Sequence, residues 1–374
     1  MSVADLVVFG EDWGRHPSAT QHLVMRLREQ RRVLWMNSIG MRRPRMSFRD
    51  ISRVAGKLTG MVRGRARPSV DNEGDGVSVF SPLAVSWPGS RTASVINRTL
   101  LTRQIGRLMA RQGIRRPLLW TSLPTALPVL GGLGERASIY YCGDDFSALA
   151  GVDHGPVAEM EEALVDRVDL VLAASEHLAA RFPRHKTLLV PHGADIALFS
   201  APESRAMDLP AGRPIAGFYG SIAAWIDVGL LCDLADRLPE WQFVFIGAVE
   251  TDVSSLIARP NVTLLGPRPH HALPSYSQHW TASLLPFRDC AQIRACNPLK
   301  LREYLAAGRP IVTTDFPALA GYRDCVTVAN DGAAFAEALK ATLADNGACS
   351  RQARVAGETW EARAATIAAA LDAL

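Results

Sequence analysis

The stretch that decides the fold is Cys296–Thr314, which reads CNPLKLREYLAAGRPIVTT. Pro298 suits the first turn of a helix, where its missing N–H costs nothing, and Asn297 before it is a good N-cap. Gly308 ends the helical pattern, and the β-branched run Ile311–Thr313 predicts a strand. We therefore expect a helix that starts at Asn297, a tight turn and a buried strand, as in a βαβ unit.

The first turn of this helix carries groups suited to a nucleotide diphosphate. A helix N-terminus has free N–H groups and about half a positive charge. Lys300 adds a full charge there, and Glu303, one turn further on, can accept two hydrogen bonds from ribose hydroxyls. The spacing alone equally allows an ordinary i, i+3 pair between Lys300 and Glu303.

Short β-rich runs alternate with helical ones along the whole chain. Most of them are near-continuous apolar runs, which is typical of parallel strands covered on both faces. We expect an α/β fold of two Rossmann-like, doubly wound parallel-sheet domains, residues 1–200 and 214–349, that face each other across a cleft. The proline-rich stretch 201–213 is the predicted linker, and an Ala-rich helix over 350–374 is expected to pack back toward the first domain. The predicted strands are Leu6–Phe9, Arg32–Met36, Val77–Phe80, Leu118–Thr121, Ser138–Cys142, Leu170–Ala173, Leu188–Val190, Ile215–Tyr219, Phe243–Ile246, Val262–Leu265, Ser283–Leu285, Ile311–Thr313 and Val326–Val328.

The composition bounds the class of protein. Hydrophobic residues make up 48% and charged residues 21% of the 374 residues, which excludes a largely disordered chain. No apolar run reaches the length of about 18 residues that a membrane-spanning helix needs. The six cysteines form no CxxC pair and no export signal is recognised, so we expect reduced thiols in the cytoplasm. No cluster of His, Cys, Asp and Glu has the spacing of a metal site.

Positive charge is concentrated in two segments. Residues 41–68 hold nine Lys and Arg against the single Asp50, and residues 91–116 hold seven Arg and no acidic residue. The first segment also has apolar residues at every third or fourth position, as in an amphipathic helix. We expect these segments to hold the protein peripherally on an anionic membrane surface, at the inner face of the cell membrane. A mobile basic loop with a short surface helix is the alternative. Nucleic acid is not an expected partner, because aromatic stacking residues are almost absent.

The segment NPLKLREYLAAGRPIVTTDFP resembles the donor-nucleotide segment of the group 1 glycosyltransferases of GT-B fold, which build bacterial polysaccharides. The resemblance covers most of residues 138–374. It implies a metal-independent enzyme without a cofactor, which uses a nucleotide-sugar donor, with UDP favoured, and a glycan or polyprenyl-linked acceptor. The further matching segments are YYCGDDFSALAG at 140–151, VDLVLAASEHLAARF at 168–182, LLVPHGADIALF at 188–199, IAGFYGSIAAWIDVGLL at 215–231, FVFIGAVE at 243–250, NVTLLGPRPHHALPSYSQHWTASLLPFRD at 261–289 and TWEARAATIAAAL at 359–371.

The resemblance implies roles for particular residues. Gly220 and Ser221 match the glycine loop that approaches the diphosphate, where a missing side chain allows close backbone approach. Lys300 matches a basic residue near the phosphates, and Glu303 matches the ribose-binding glutamate. The other expected donor-binding residues are Gly247, whose loop borders the base, Arg288, in the loop that flanks the sugar, and Asn297, Pro298 and Leu299 at the helix start.

Two departures from the family pattern stand out. Many relatives have a Glu-x7-Glu pattern whose first glutamate contacts the transferred sugar, but this chain has Ala295 at that position, with Asp289 as the nearest acid. Relatives often have an Arg and a Lys after the glycine loop, whereas this chain has IAAWID at 222–227. Neutralisation of the phosphates is then expected from Lys300 and the helix dipole, with Arg288, Arg294 or Arg15 as further candidates.

Transfer of a sugar requires a base that removes a proton from the acceptor hydroxyl. Asp144 and Asp145 follow a predicted strand, and two adjacent carboxylates can raise a pKa toward a useful value. The alternative is that both aspartates hold the bend at Gly143. The competing base candidates are Asp12, His16 and His22, and the expected acceptor-side residues are Asp12, Arg15 and His16. His192 is expected to order the hinge, with a catalytic role as the alternative.

The sequence therefore predicts a glycosyltransferase of cell-surface polysaccharide biosynthesis. A sugar-nucleotide epimerase or hydrolase would keep the two Rossmann-like domains and needs no acceptor surface. A non-catalytic subunit of a polysaccharide assembly complex would explain the missing first glutamate. The sugar, the acceptor and the stereochemical outcome stay open at this stage.

Overall fold

The computed structural model describes residues 3–14, 18–40, 71–72, 76–146 and 153–374. The predicted basic amphipathic insertion at 41–68 lies outside these residues, as do Arg15 and His16. The strands are β1 Leu6–Phe9, β2 Val33–Met36, β3 Asp71–Asn72, β4 Val77–Phe80, β5 Leu118–Thr121, β6 Ala137–Cys142, β7 Leu170–Ala173, β8 Thr187–Leu189, β9 Ile215–Tyr219, β10 Gln242–Ile246, β11 Val262–Leu264, β12 Ala282–Leu285, β13 Ile311–Thr313 and β14 Thr327–Val328. The helices are α1 Ala19–Leu27, α2 Arg91–Gln112, α3 His154–Arg167, α4 Glu176–Ala179, α5 Ile196–Ser200, α6 Val228–Arg237, α7 Ser254–Ile257, α8 Pro274–Ser277, α9 Ala291–Ala295, α10 Leu299–Ala306, α11 Gly332–Ala341, α12 Ala348–Val355 and α13 Trp360–Asp372.

The first sheet has the strand order β3-β4-β2-β1-β5-β6-β7-β8. All its pairs are parallel except β3 with β4, which is antiparallel. Its central strands read LVVF, VLWM and LLWT and are buried at every position. Apolar side chains on both faces of a strand need cover on both faces, which helices packed on the two sides of a parallel sheet provide.

The second sheet has the order β11-β10-β9-β12-β13-β14 and is parallel throughout. Counted from β9, this is the order 3-2-1-4-5-6 of a Rossmann fold. In β9, Gly217 makes room for an aromatic ring, because a Cβ there would lie 1.8 Å from Trp280. The prediction of two doubly wound parallel-sheet domains is confirmed, and each predicted strand is present to within one residue at either end.

The chain divides into two compact units, residues 1–191 with 363–374 and residues 192–362. The boundary thus lies between Pro191 and His192 and not within the predicted linker 201–213. Residues 201–213 belong to the second unit, because hydrogen bonds and an ion pair join them to its other residues. Gln278 donates to the carbonyl of Ala201 at 2.7 Å, and Asp208 pairs with Arg268 at 2.6 Å.

The prediction of one helix over 350–374 is wrong, because two helices, α12 and α13, occupy this region. The chain leaves the helix after Val355, and Glu358 becomes a tertiary contact. Its carboxylate accepts from Arg302 at 2.7 Å, and its carbonyl accepts from the Ala194 amide at 3.0 Å. In the first unit, Asp372 near the chain end pairs with the buried Arg31. Among the described residues, no helix combines the length and the hydropathy needed to cross a bilayer.

Candidate active site

The helix α10 starts one residue later than predicted. Its N-cap is Pro298, which has extended backbone, and no side chain caps the first turn. Asn297 is therefore not the N-cap: its side-chain oxygen accepts from Arg302, and its carbonyl oxygen lies 2.9 Å from His192 Nδ1. Gly308, with a φ of +78°, follows the helix end as predicted. The first turn of α10, with Leu299 and Lys300, keeps its positive end free of any capping carboxylate.

Lys300 lies against the glycine loop that follows β9. A Cβ on Gly220 would lie 2.1 Å from Lys300 Cε and 2.7 Å from Nζ, and Gly220 has a φ of +124°. Burial lowers the pKa of Lys300, although the charge of Glu303 raises it in part. Lys300 forms no ion pair with Glu303, so the alternative of an ordinary i, i+3 pair is wrong. The Nζ atom of Lys300 instead lies 5.8 Å from the centroid of the Phe218 ring. Lys300 is partly buried and forms no ion pair with a carboxylate among the described residues.

Glu303 is held in a buried polar network. It is 5% exposed, and its two carboxylate oxygens have different partners. Tyr219 donates its hydroxyl hydrogen to Oε2 at 2.6 Å, and His270 Nε2 lies 2.8 Å from Oε1. The other ring nitrogen of His270 lies 3.7 Å from a carboxylate oxygen of Asp195. The hydrogen bond with Glu303 raises the pKa of His270 against the opposing effect of burial, and the charges of Glu303 and Asp195 add to it.

Three glycines bring the strand ends of the second sheet together. Gly247, after β10, has a φ of +148°, and a Cβ there would lie 2.1 Å from the carbonyl oxygen of Gly220. The amide of Gly247 donates to the carbonyl of Gly266, after β11, at 3.0 Å. Ser221 follows Gly220 and is half-buried. At the carboxyl edge of this sheet, where Rossmann folds bind ligands, these three glycines thus present backbone without side chains.

The loops after β9 and β12 are joined to each other. Arg288 N donates to Trp225 O, and Asp227 N donates to Pro286 O, each at 2.8 Å. The Arg288 side chain is exposed and makes no hydrogen bond with another described residue. Arg294 instead pairs with Asp289 at 2.6 Å. Arg288 and Arg294 are the two described arginines that were considered for neutralising the phosphates. Because Arg294 is paired with Asp289, Arg288 is the one whose guanidinium is available for them.

The missing first glutamate has no substitute nearby in the chain. Ala295, at its position, is 2% exposed at the end of α9. Asp289, the nearest acidic residue in the sequence, is exposed and paired with Arg294, which lowers its pKa. A buried methyl group therefore stands where relatives place a carboxylate.

The first unit separates Asp144 from Asp145. Asp145 pairs with Arg181 at 2.7 Å, and Arg181 also pairs with the buried Glu161 at 2.9 Å. Asp144 is an exposed residue, yet the protein around its carboxyl group raises the pKa of Asp144, and the charges of Glu11 and Asp145 raise it further. The two adjacent aspartates thus have different environments, and Asp144 is the one with the perturbed carboxyl group.

Sequence reasoning missed two neighbours of Asp144. Glu11 follows β1, as Asp144 follows β6, and parallel strands end at the same edge of a sheet. The hydroxyl of Tyr141 is buried without a hydrogen-bond partner among the described residues. Asp12, proposed from the sequence, instead accepts from the amide and the hydroxyl of Ser38, at 3.2 and 2.8 Å. His22 lies on α1, where its Nδ1 is 3.4 Å from an Arg26 nitrogen.

A protein-family model matches most of the second unit. Residues 213–345 match the family model described as "Glycosyl transferases group 1". Most of the second unit is therefore similar to this family. The matched region contains the glycine loop, α10 and Glu303, so the match agrees with the resemblance that the sequence shows.

One curated relative matches about half of the chain. The putative teichuronic acid biosynthesis glycosyltransferase TuaH of Bacillus subtilis (strain 168) is 29% identical over 225 residues, which are 54% of this chain and 56% of that protein. The match therefore spans about half the length of the curated relative. About half of this chain is thus similar to a protein named as a putative glycosyltransferase.

Solved structures match almost the whole chain. HepE of Anabaena in complex with UDP and glucose has a TM-score of 0.67 and 14% identity, over 99% of this chain and 100% of that one. Sucrose-phosphate synthase from Thermosynechococcus elongatus has a TM-score of 0.71 and 16% identity, over 99% and 98%. At these identities the likeness shows the fold alone, and this fold is the predicted GT-B fold.

Proposed function

We propose that this protein is a glycosyltransferase that moves a sugar from a UDP-sugar to a glycan or lipid-linked acceptor in cell-surface polysaccharide biosynthesis, without a metal ion. The observation that carries the proposal is the close approach of Lys300 to Gly220 at the uncapped start of α10. A cation, free helix amides and a glycine loop converge there, which is the chemistry that binds a diphosphate. The UDP in the HepE structure and the curated relative support the donor class and the pathway.

Each residue of the donor site is assigned to a different part of the nucleotide sugar. Lys300 and the first-turn amides of α10 stabilise the diphosphate, whose negative charge grows as the sugar leaves. Glu303 accepts hydrogen bonds from the ribose hydroxyls, because a carboxylate with one partner on each oxygen still has lone pairs available. Arg288 has an exposed guanidinium on the loop after β12 and adds positive charge beside the donor sugar.

On the acceptor side, Asp144 is the proposed base. Its raised pKa brings the carboxylate closer to the pKa of a useful proton acceptor. Asp144 takes the proton of the acceptor hydroxyl, the hydroxyl oxygen bonds to the anomeric carbon, and the bond from that carbon to the diphosphate breaks with its electron pair. UDP then leaves, carrying the charge that Lys300 stabilises. Asp145 holds Arg181 and supports the loop.

A cavity in the first unit suits part of an acceptor. It has a volume of about 220 Å³ and lies among the segments that follow β2, β4 and β5. Its lining is mainly apolar and includes the half-exposed Trp87, with Arg91 and Glu159 as the charged members. An apolar pocket with few polar groups is typical of a site for an amphiphilic ligand, which supports a lipid-linked acceptor.

The basic helix α2 supports attachment to an anionic membrane. Arg98 and Arg103 are exposed and form no ion pair with a described acidic residue. Val95 and Ile96 are exposed beside them, at 68% and 46%. Each arginine near an anionic surface contributes about 1 kcal/mol. We expect sedimentation with vesicles of anionic lipid to fall on Arg98→Gln and Arg103→Gln and with added salt, whereas binding that ignores both would refute the attachment.

Calorimetric titration with UDP, GDP and their sugars tests the donor site. We expect UDP to bind, and Lys300→Met and Glu303→Gln each to weaken binding at least tenfold, on the order of one charge-assisted hydrogen bond. Lys340→Met and Glu337→Gln are matched controls, because this exposed i, i+3 pair lies on α11 in the same unit. A wild-type protein that binds no nucleotide in the panel would refute the proposal. Conversion of the sugar nucleotide without an acceptor would favour an epimerase or hydrolase.

A further inference from the structure

His270 occupies a distinctive place beside the donor site. It starts the 3-10 turn His270–Ala272, and its half-buried ring lies between two carboxylates from other elements. Nε2 is 2.8 Å from Glu303 on α10, and Nδ1 is 3.7 Å from Asp195, which precedes α5. The ring also packs edge-on against Phe199, with centroids 5.4 Å apart. No role for His270 followed from the sequence.

The hydrogen bonds of Glu303 leave its carboxylate able to accept two more hydrogen bonds. A carboxylate has about four lone-pair positions, two on each oxygen. Tyr219 uses one position on Oε2, and His270 uses one on Oε1, so one position remains on each oxygen. Two neighbouring ribose hydroxyls supply two donors. The network thus leaves Glu303 with the acceptor capacity that a ribose needs, provided that the carboxylate stays fixed in orientation.

We propose that His270 is a positioning residue that holds the carboxylate of Glu303 oriented toward the 2′- and 3′-hydroxyls of the donor ribose; this rests on the proposed function. Glu303 is 5% exposed, so its oxygens depend on protein partners for their hydrogen bonds. An imidazolium at 2.8 Å compensates for the lost hydration, and Asp195 on its other side favours the protonated ring. His270 itself does not touch the reacting atoms.

This arrangement makes nucleotide affinity depend on pH in a defined direction. The pKa of His270 is raised, so its positive charge is present below that pKa and is lost as the pH rises through it. The groups facing the ring are Glu303 and Asp195, and both favour its charge. Affinity for UDP is therefore highest on the acidic side of this step. Lys300, whose pKa is lowered, adds a second loss in the same direction, so the two steps must be separated by variants.

The test measures the Kd of UDP and of 2′-deoxy-UDP from pH 6 to 9.5 by calorimetry. For wild type, we expect affinity to fall with pH and UDP to bind more tightly than 2′-deoxy-UDP. His270→Gln can still donate a hydrogen bond but carries no charge. We expect it to bind UDP about tenfold more weakly at pH 6.5, to lose the His270 step and to discriminate less between the two nucleotides. Lys300→Met should remove the other step and keep the discrimination.

Two further variants keep the inference falsifiable. Asp195→Asn should move the His270 step to lower pH and leave affinity at the acidic end unchanged, because it removes a charge that favours the imidazolium. His271→Gln changes the exposed neighbour on the same turn and should behave as wild type. If His270→Gln keeps the wild-type pH profile and the wild-type preference for UDP, the role of His270 is refuted while the glycosyltransferase proposal stands. A wild type that binds no UDP refutes the proposed function instead.

Discussion

Gly220→Ala perturbs the donor site at its closest contact. The φ of +124° at Gly220 lies in a region that is nearly restricted to glycine, so an alanine there costs about 1–3 kcal/mol of backbone strain. The new Cβ would also lie 2.1 Å from Lys300 Cε. The lysine end is flexible, so it moves away, and the ammonium group leaves the glycine loop.

The substitution should lower both the stability of the protein and its affinity for UDP, and each loss has its own measurement. Urea denaturation should show a loss of about 1–3 kcal/mol in the free energy of unfolding. Calorimetric titration should show UDP binding weakened by about ten- to a hundredfold, because one charge-assisted contact to the diphosphate is lost. The two losses have different origins, so partial recovery of stability by a stabilising solute should not recover affinity.

Gly212→Ala is the matched control. Gly212 also has a positive φ, +85°, but a Cβ there would meet no atom within 4 Å. It should cost about 1 kcal/mol of stability and leave the Kd of UDP unchanged. If Gly220→Ala binds UDP like wild type, or if Gly212→Ala loses as much affinity, the assignment of Lys300 and Gly220 to the diphosphate is wrong.

Other consequences of the structure can be measured in the same way. Asp144→Asn should lower kcat about 10²-fold or more in a sugar-transfer assay with little change in the Kd of UDP, whereas Asp145→Asn should mainly lower the melting temperature, because it breaks the pair with Arg181. Equal loss of kcat in both would refute the division of roles. Glu358→Gln should destabilise the second unit by about 3 kcal/mol in urea denaturation, since it leaves Arg302, 3% exposed, without its charged partner. A loss below about 1 kcal/mol would show that the remaining contacts of Arg302 are sufficient.

The order of elements could be predicted because it depends on local pattern. Runs such as LVVF at 6–9 and IAGFY at 215–219 are apolar at successive positions, and only strands covered on both faces bury such runs fully. Gly308 ends α10 because it can adopt a positive φ without strain. These properties belong to neighbouring residues in the chain. The predicted strands consequently agree with the structure, and only β3, two residues long, was not foreseen.

The cap of α10 and the partners of its charged residues were decided by tertiary structure. Asn297 has the chemistry of an N-cap, but both of its oxygens have other partners. Its carbonyl oxygen contacts His192, 105 residues away, and its side-chain oxygen accepts from Arg302, 5 residues away. The i, i+3 spacing of Lys300 and Glu303 suggested a surface pair, yet Glu303 faces Tyr219 and His270. A side chain takes the partner that best replaces lost water, and spacing along one helix says nothing about partners from other strands.

The sequence by itself determined which residues carry charge, in which order the strands follow one another, and that glycine stands at 220 and 247. Only the tertiary structure decided that Lys300 packs against Gly220 and that His270 lies between Asp195 and Glu303. The same holds for Asp144, whose carboxyl group is perturbed while Asp145 is neutralised by Arg181. The physical reason is that pKa shifts and ligand geometry depend on distances of a few ångströms between residues far apart in the chain, and only folding sets those distances.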